Sequence, residues 1–298
     1  MNITNVRSFV TVVDAGSFSR AAKELALSQP AVTTQVRSLE EELGQTLLDR
    51  QYRNIELTEA GEVFLPHARE ILDHIARAQE ALQEQVGDIG GHLMVAASSI
   101  PGSYIVPRLM GAFAQQHPQV QFDLDISNST EATDAVLAGR AQLALVGARI
   151  KDMPVDYEEI AHDRLTIIAA PTHPLAQKKK ITFDDLRNER WIARPPQSGT
   201  RQAATATLRK AGNTSFDLKD ALILGSDEAI INAVEGELGI AILSKLVTEK
   251  ALRLGTVAEL DLASSCVLER PLYLVTPHRR PTRAAAAFIS FIREQMGV

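Results

Sequence analysis

Three clusters of small polar residues stand where this sequence passes from an apolar run into a helical one. Ser98 and Ser99 follow Leu93-Met94-Val95-Ala96-Ala97 and precede Pro101-Gly102. Asn128, Ser129 and Thr130 follow Phe122 to Ile126. Ser198-Gly199-Thr200-Arg201 follows Trp191-Ile192-Ala193-Arg194. A strand end facing a helix start offers free N–H donors and the positive end of a helix dipole, and hydroxyls, glycine and arginine add donors there. The expected chemistry is capture of a small anion: a carboxylate, a sulfate-like ion or a phosphorylated metabolite. Ser98, Ser99, Gly102, Asn128, Ser129, Thr130, Ser198, Thr200 and Arg201 are its expected contacts. The plainer alternative is that each hydroxyl only caps its own helix.

A second set could read nucleic acid. Gln29, Thr33, Thr34, Gln35 and Arg37 share a helical stretch and point away from its apolar stripe of Val32, Val36, Leu39 and Leu43. Such side chains hydrogen-bond base edges and phosphates. Catalytic candidates are poorer. Cys266, in Ser264-Ser265-Cys266-Val267-Leu268, reads as an inert strand thiol rather than a nucleophile. His162 and His173 lie outside any motif, and Lys178–Lys180 reads as a solvated turn. His67, Glu70 and His74 imitate metal-ligand spacing, but a solvated helix flank is the simpler reading. No HExxH, Walker A, GxSxG or dinucleotide fingerprint occurs. No catalytic residue, metal or cofactor is expected.

The elements that must carry these residues follow from periodicity. Ile3, Val6, Phe9, Val10 and Val13 predict a helix over 3–14, stopped by Gly16. Ser17 is the expected N-cap of a second helix over 18–26, and Ser28 of a third with Pro30 in its first turn. Two short helices joined at Leu27-Ser28 make a helix-turn-helix. Beyond it, two short β-like runs flank Gln51-Tyr52-Arg53-Asn54, a hairpin or wing whose Arg50 and Arg53 could touch phosphate. A plain three-helix domain with solvated faces stays open as an alternative. Residues 1–60 hold 6 basic and 8 acidic side chains, net −2. DNA binding would require the acids to be set apart, with Glu40–Glu42 expected beyond the end of the reading helix.

From Glu59 to Val86, Phe64, Ala68, Ile71, Ile75, Ala78 and Leu82 recur in steps of 4 and 3, the seam spacing of paired helices. Leu65 and Leu72 widen the stripe towards the amino-terminal helices. Pairing with a second copy is expected, packing on the same chain being the alternative; a two-fold dimer would read a pseudo-palindromic site. Gly87-Asp88-Ile89-Gly90-Gly91 then reads as a hinge. After it, apolar runs alternate with helical segments, which predicts α/β units on a largely parallel sheet.

The 298 residues suit about two domains. With 45% hydrophobic and 23% charged residues, disordered and fibrous classes are excluded. No apolar run is long enough to span a membrane, and the amino terminus lacks a signal-peptide pattern. One cysteine rules out an internal disulfide, so a cytoplasmic setting is expected. The net charge of −6 does not advertise a nucleic-acid binder, so any such surface must be local.

Against this background the first sixty residues carry a specific resemblance. Phe9–Ala22 (FVTVVDAGSFSRAA), Leu27–Glu40 (LSQPAVTTQVRSLE), Leu43-Gly44, Leu47–Arg50 and Leu57–Gly61 (LTEAG) resemble the LysR-type transcriptional regulators. The resemblance implies base contacts from Gln29, Pro30, Ala31, Thr33 and Thr34, and backbone contacts from Ser28, Arg37, Arg50 and Arg53. Downstream, Gly225–Ile230 (GSDEAI), Val234–Leu243 (VEGELGIAIL) and Arg270–Val275 (RPLYLV) resemble the family's effector-binding domain, adding Ser226 to the expected effector contacts. The fold implied is an N-terminal all-α winged helix-turn-helix plus a long linker helix, then a C-terminal α/β two-lobed periplasmic-binding-protein-like domain. The expected domains are 1–58, 59–87 and 88–298, with lobe I at 92–162 and 269–298 and lobe II at 163–268.

Ser198–Arg201 and Ile100–Tyr104 are similar to subfamilies tied to sulfur or selenium metabolism and to carbon fixation. Where those relatives usually read Arg-Glu-Pro, however, this chain has Arg194-Pro195-Pro196-Gln197. The implied partners are double-stranded DNA at a pseudo-palindromic promoter site, a small anionic effector, further copies of the chain in a homodimer or homotetramer, and RNA polymerase, with no membrane. An enzyme, a transport solute-binding protein and a cytoplasmic small-molecule-binding protein without a DNA role are the competing classes.

Overall fold

The computed structural model describes residues 1–49, 55–83, 89–196, 198–210, 222–263 and 268–298. Arg50, Arg53, Cys266 and the hinge residues Gly87 and Asp88 lie outside them. Two compact units form, one chiefly of residues 1–89 and one chiefly of 90–298.

In the first unit α1 (Ile3–Ala15), α2 (Phe18–Glu24) and α3 (Gln29–Leu43) bury Val6, Phe9, Val12, Ala21, Val32, Val36 and Leu39 against one another. Gly16 and Gly44, at φ 61° and 67°, end α1 and α3 in the left-handed conformation that glycine adopts without strain. Ser17 makes no capping bond with its side chain, contrary to expectation. Helix α2 also stops two residues early, because Ala26 takes φ 54° to turn the chain into α3. Ser28 does cap α3, accepting from Ala31 N at 3.3 Å.

A hairpin of β1 (Leu48–Asp49) and β2 (Glu56–Leu57) pairs Leu48 with Leu57. Its start is fixed by Glu40, whose Oε1 accepts from Leu47 N at 2.9 Å and Leu48 N at 3.2 Å. Glu40–Glu42 therefore lie inside α3, in its last turn, not beyond its end. The helix runs on to Leu43 and stops at Gly44, whose N–H donates to the Glu40 and Glu41 carbonyls.

Helix α4 (Glu59–Gln83) approaches so closely that a Cβ on Gly61 would sit 2.1 Å from Leu47 O. Phe64 and Ala68 point into this unit's core, Ala68 fully buried and Phe64 at 5.7 Å from the Phe9 ring, with Leu65 and Leu72 beside them. The first third of the expected seam is thus spent on the same chain, because the core formed by α1–α3 needs a fourth wall. Ile71 and Ile75 stay half-buried and Ala78 exposed.

The second unit is built on one sheet, ordered β4-β3-β5-β11-β6-β9-β7-β8 with β10 also paired to β6. Its strands are β3 (Gly90–Ser98), β4 (Gln119–Ser127), β5 (Leu143–Val146), β6 (Val155–Ala169), β7 (Trp191–Ala193), β8 (Leu222–Ile223), β9 (Ile240–Ser244), β10 (Ala258–Glu259) and β11 (Glu269–Pro277). The expected largely parallel sheet is instead two parallel patches, β4-β3-β5 and β9-β7-β8, joined by antiparallel strands. The reason is topological. The chain passes from one patch to the other along β6 and returns along β11, so the two crossing strands run in opposite directions. Strand β6 pairs with β11 up to Arg164 and with β9 from Leu165 onward.

Period-two alternation supplies both faces of each patch. Ile167, Trp191, Ile240 and Ile242 enter one core, while Ile168, Ile192, Ala241 and Leu243 enter the other. Around the first patch, α6 (Ser129–Leu137) covers one face; Phe113 of α5 (Val106–Gln116) meets Phe122, Phe288 and Phe291 edge-on over the other, the last two from α11 (Arg283–Met296). Helices α7 (Phe183–Leu186), α8 (Gly199–Lys210), α9 (Asp227–Glu235) and α10 (Lys245–Leu254) accompany the second patch.

Candidate nucleic-acid interface and ligand pocket

Helix α3 presents Gln29, Pro30, Thr34 and Arg37 exposed, with Ala31 and Thr33 half-exposed. The polar groups among them are already partly committed. Thr33 Oγ1 donates to Gln29 O and Thr34 Oγ1 to Pro30 O, each at 2.9 Å, leaving their lone pairs and methyls outward. Gln29 Oε1 accepts from Ser19 Oγ at 2.8 Å. Gln35 is turned inward, contrary to expectation, because buried Ser8 donates to its Oε1 at 2.5 Å.

Three of the eight acids that count against DNA binding are occupied within the chain. Glu40 holds the hairpin, Asp14 pairs with Arg69, and Glu42 pairs with the amino terminus. Glu40 also lies 11 residues from Gln29, roughly 16 Å along the helix at about 1.5 Å per residue and beyond a Debye length of about 8–10 Å. On α4, His67 and Glu70 are 3.7 Å apart, but His74 Nδ1 bonds Glu70 O instead of joining them, and no metal-binding group of three forms among the described residues.

In the second unit Ser98, Ser99, Asn128, Ser129, Ser198 and Thr200 line one pocket of ≈ 130 Å³, together with Ile100, Arg194, Pro195, Gly199 and Arg270. Strand ends β3 and β4 supply one wall, and β7 with the first turn of α8 the other. Gly102, Thr130, Arg201 and Ser226 are not among the lining residues. Gly102 belongs to a single π-helical turn, Pro101–Ile105, where a Cβ would meet Ile126 Cγ1 at 2.9 Å, so its role there is close packing. Thr130 is exposed. Arg201 donates to Arg194 O at 3.1 Å, and Ser226 caps α9 by accepting from Ala229 N at 3.1 Å.

Arg270 and Arg194 are the cations of this pocket, and neither was among the expected contacts. Arg270 alternates with Leu272 and Leu274 on the inward side of β11 and is 4% exposed. Its Nε donates to Asp163 Oδ2 at 2.8 Å across the β6–β11 pair, and its Nη1 reaches Thr200 Oγ1 at 3.4 Å. Asp163 is itself buried and accepts from Ser244 Oγ at 2.6 Å. Ser98 accepts from Gly147 N at 3.0 Å, and a Cβ on Gly147 would press on Arg270 Nη1 at 3.2 Å. Arg194 pairs with Asp227 at 2.7 Å. The Tyr104 hydroxyl is pushed above its ordinary pKa by burial first, then by the charges of Glu228 and Asp227.

Three buried polar atoms of the lining have no hydrogen-bond partner: Ser129 Oγ, Arg194 Nε and Arg270 Nη2. The last lies 2.8 Å from Asp163 Oδ2, close enough for an ion pair but out of line for a hydrogen bond. Asn128, by contrast, spends its Oδ1 on capping α6 through Glu131 N at 2.9 Å. A charged or hydroxyl group buried without a partner costs folding free energy, and pockets that take ligands are where such groups are kept.

Residues 3–62 match the bacterial regulatory helix-turn-helix proteins of the lysR family, and residues 87–297 match the LysR substrate binding domain. The chain belongs to the LysR family of transcriptional regulators. Its function is therefore regulation of transcription and not catalysis. Among LysR relatives, the probable RuBisCO transcriptional regulator of Cyanidioschyzon merolae is 34% identical over 290 residues, covering 96% of this chain and 95% of that one. The RuBisCO operon transcriptional regulator of Allochromatium vinosum is 33% identical over 295 residues, covering 98% and 95%.

Solved LysR-type structures share the fold. A full-length OxyR variant from Pseudomonas aeruginosa superposes with a TM-score of 0.77 at 20% identity, covering 100% of this chain and 95% of that one. The CcmR regulatory domain of Synechocystis PCC6803, solved in complex with 2-PG, superposes with a TM-score of 0.61 at 25% identity, covering 69% and 97%. Among the described residues, no helix of this LysR chain is long and apolar enough to cross a membrane.

Proposed function

We propose that this LysR-type regulator binds promoter DNA through α3 and the adjoining hairpin, and that a small, multiply charged oxyanion in the Arg194–Arg270 pocket modulates it. The assignment rests on one observation above all: Ser129 Oγ, Arg194 Nε and Arg270 Nη2 are buried, without a hydrogen-bond partner and gathered on a single pocket. Two guanidinium groups and a hydroxyl on one lining suit a phosphate or carboxylate, which accepts forked N–H donors. Size narrows the class. A cavity of ≈ 130 Å³ lies below the roughly 300–1,000 Å³ of pockets that take drug-sized ligands, which favours a small metabolite. The carbon-fixation regulators among its relatives, and a neighbour whose domain was solved with 2-phosphoglycolate, point the same way.

On the DNA side, Gln29, Pro30, Ala31, Thr33 and Thr34 would touch bases, while Ser28, Arg37, Arg50 and Arg53 would touch phosphates. Two copies paired along the outer part of α4 would address a two-fold site. The cell compartment is the cytoplasm, where promoter and metabolite meet. Because the pocket lies where the chain crosses between the two patches, an anion that binds one relative placement of the patches better than another shifts their balance by that difference in affinity.

Thermal denaturation of the full-length protein with inorganic phosphate, sulfate, glycolate and 2-phosphoglycolate tests the reading. The phosphorylated acid should raise the midpoint most, and Ser129→Ala should blunt the rise. Equal response to all four, or none to any, would overturn the assignment.

A further inference from the structure

On the reading helix, only Gln29 combines an exposed side chain with an amide that could present either of two opposite edges to a base. Its oxygen accepts and its nitrogen donates, so an unrestrained glutamine reads adenine through both ends: Oε1 takes the N6 proton and Nε2 reaches N7. Here the oxygen is held. Ser19, at the start of α2, donates its hydroxyl to Gln29 Oε1 at 2.8 Å. The bond joins the two helices of the helix-turn-helix across 10 residues of sequence. Both side chains are exposed, and Gln29 shares a face of α3 with Thr33, four residues on.

We infer that Ser19 is a positioning residue for base recognition: by engaging Oε1 it turns the amide so that the two N–H donors of Nε2 face outward, and Gln29 then reads the acceptor edge of guanine, N7 and O6, in preference to adenine. The inference rests on the proposal that α3 reads the major groove. The next turn does not compete for the same edge. Thr33 has spent its proton on Gln29 O at 2.9 Å, so it offers a methyl and lone pairs, which suit thymine's methyl or an amino donor. Donor and acceptor functions are thereby divided between successive turns of α3 by bonds internal to the protein.

The test is selection of bound duplexes from a randomised library by the full-length protein and by its Ser19→Ala, Ser19→Thr and Gln29→Ala variants. Affinity is then measured for the selected duplex, for its 7-deazaguanine form and for unrelated DNA. The native chain should enrich guanine at the position whose preference Gln29→Ala erases, and 7-deazaguanine there should weaken binding about 5- to 100-fold. Ser19→Ala should admit adenine at that position alone, with affinity for unrelated DNA unchanged; Ser19→Thr, which keeps the hydroxyl, should restore guanine. If Ser19→Ala keeps the guanine preference while Gln29→Ala loses it, or if the native chain enriches adenine there, the positioning role is wrong and base reading by Gln29 stands. If Gln29→Ala alters no position, the reading of α3 itself fails.

Discussion

Replacing Arg270 by methionine isolates what the buried charge cluster does for this protein. Methionine keeps an apolar stem in place of the arginine's methylenes but removes the guanidinium. Asp163, with a side chain 1% exposed, would lose its ion pair and retain only the Ser244 hydroxyl at 2.6 Å. Removing one partner of a buried pair costs about 3–5 kcal/mol, because the other charge is stranded away from water. Unfolding entropies near 2.1 cal/mol/K per residue give a unit of about 210 residues roughly 0.44 kcal/mol/K, so the loss corresponds to about 7–11 °C in its melting temperature. Scanning calorimetry of the full chain reads it directly. The double variant Asp163→Asn with Arg270→Met should recover most of the loss, since no charge is then stranded, yet neither variant should regain stabilisation by phosphorylated acids. A shift below about 2 °C for Arg270→Met, or a double variant no better than the single, would refute the account of Asp163 as a charge kept in place by Arg270.

Two further outcomes follow from geometry elsewhere. Gly61→Ala should destabilise the amino-terminal unit by about 1–3 kcal/mol or more, because its Cβ would fall 2.1 Å from the backbone oxygen of Leu47, which no side-chain rotation can move; an unchanged denaturation curve would count against the close fit of α4 on the hairpin. Asp185 is held at a pKa of about 2, below its ordinary 3.8, by the Lys178 ammonium first and then by the backbone N–H and hydroxyl of Thr182. A carboxylate depressed in the folded state stabilises it above the unfolded pKa and loses that contribution as pH falls through the folded one. Stability should therefore drop from about pH 4 towards 2, and Asp185→Asn should flatten that limb; the same slope in both proteins would remove Asp185 from the cause.

The sequence made the helices of the first unit legible because each carries a 3.6-residue stripe and a stop, Gly16 or Gly44. It misplaced Phe64 and Ala68. Spacing alone does not say whether an apolar stripe faces a neighbour in the same chain or in another, and here the three-helix core claimed the first of these positions. Glu40 was read as surplus charge because its use, accepting two N–H groups 7 and 8 residues on, depends on a tertiary turn. In the second unit the hydroxyl clusters were visible as strand-to-helix transitions. Ser226 and Gly102 answer to capping and packing, which the same residue types serve equally well. Arg270 had a readable signal, a charge on the inward side of an alternating strand. Its partner Asp163 lies 107 residues away and is opposite only because β6 and β11 run antiparallel.

The docking of Phe64 and Ala68 bears on how such regulators can be recombined. A chimera that joins this head to a foreign sensor at residue 58 would leave a hole beside Phe9 and an orphan greasy flank on the donated rod. A splice placed after Leu72 carries the plug along with its socket. Transplants cut there should stay soluble and retain operator choice, whereas cuts at the boundary suggested by the hairpin should yield aggregating hybrids.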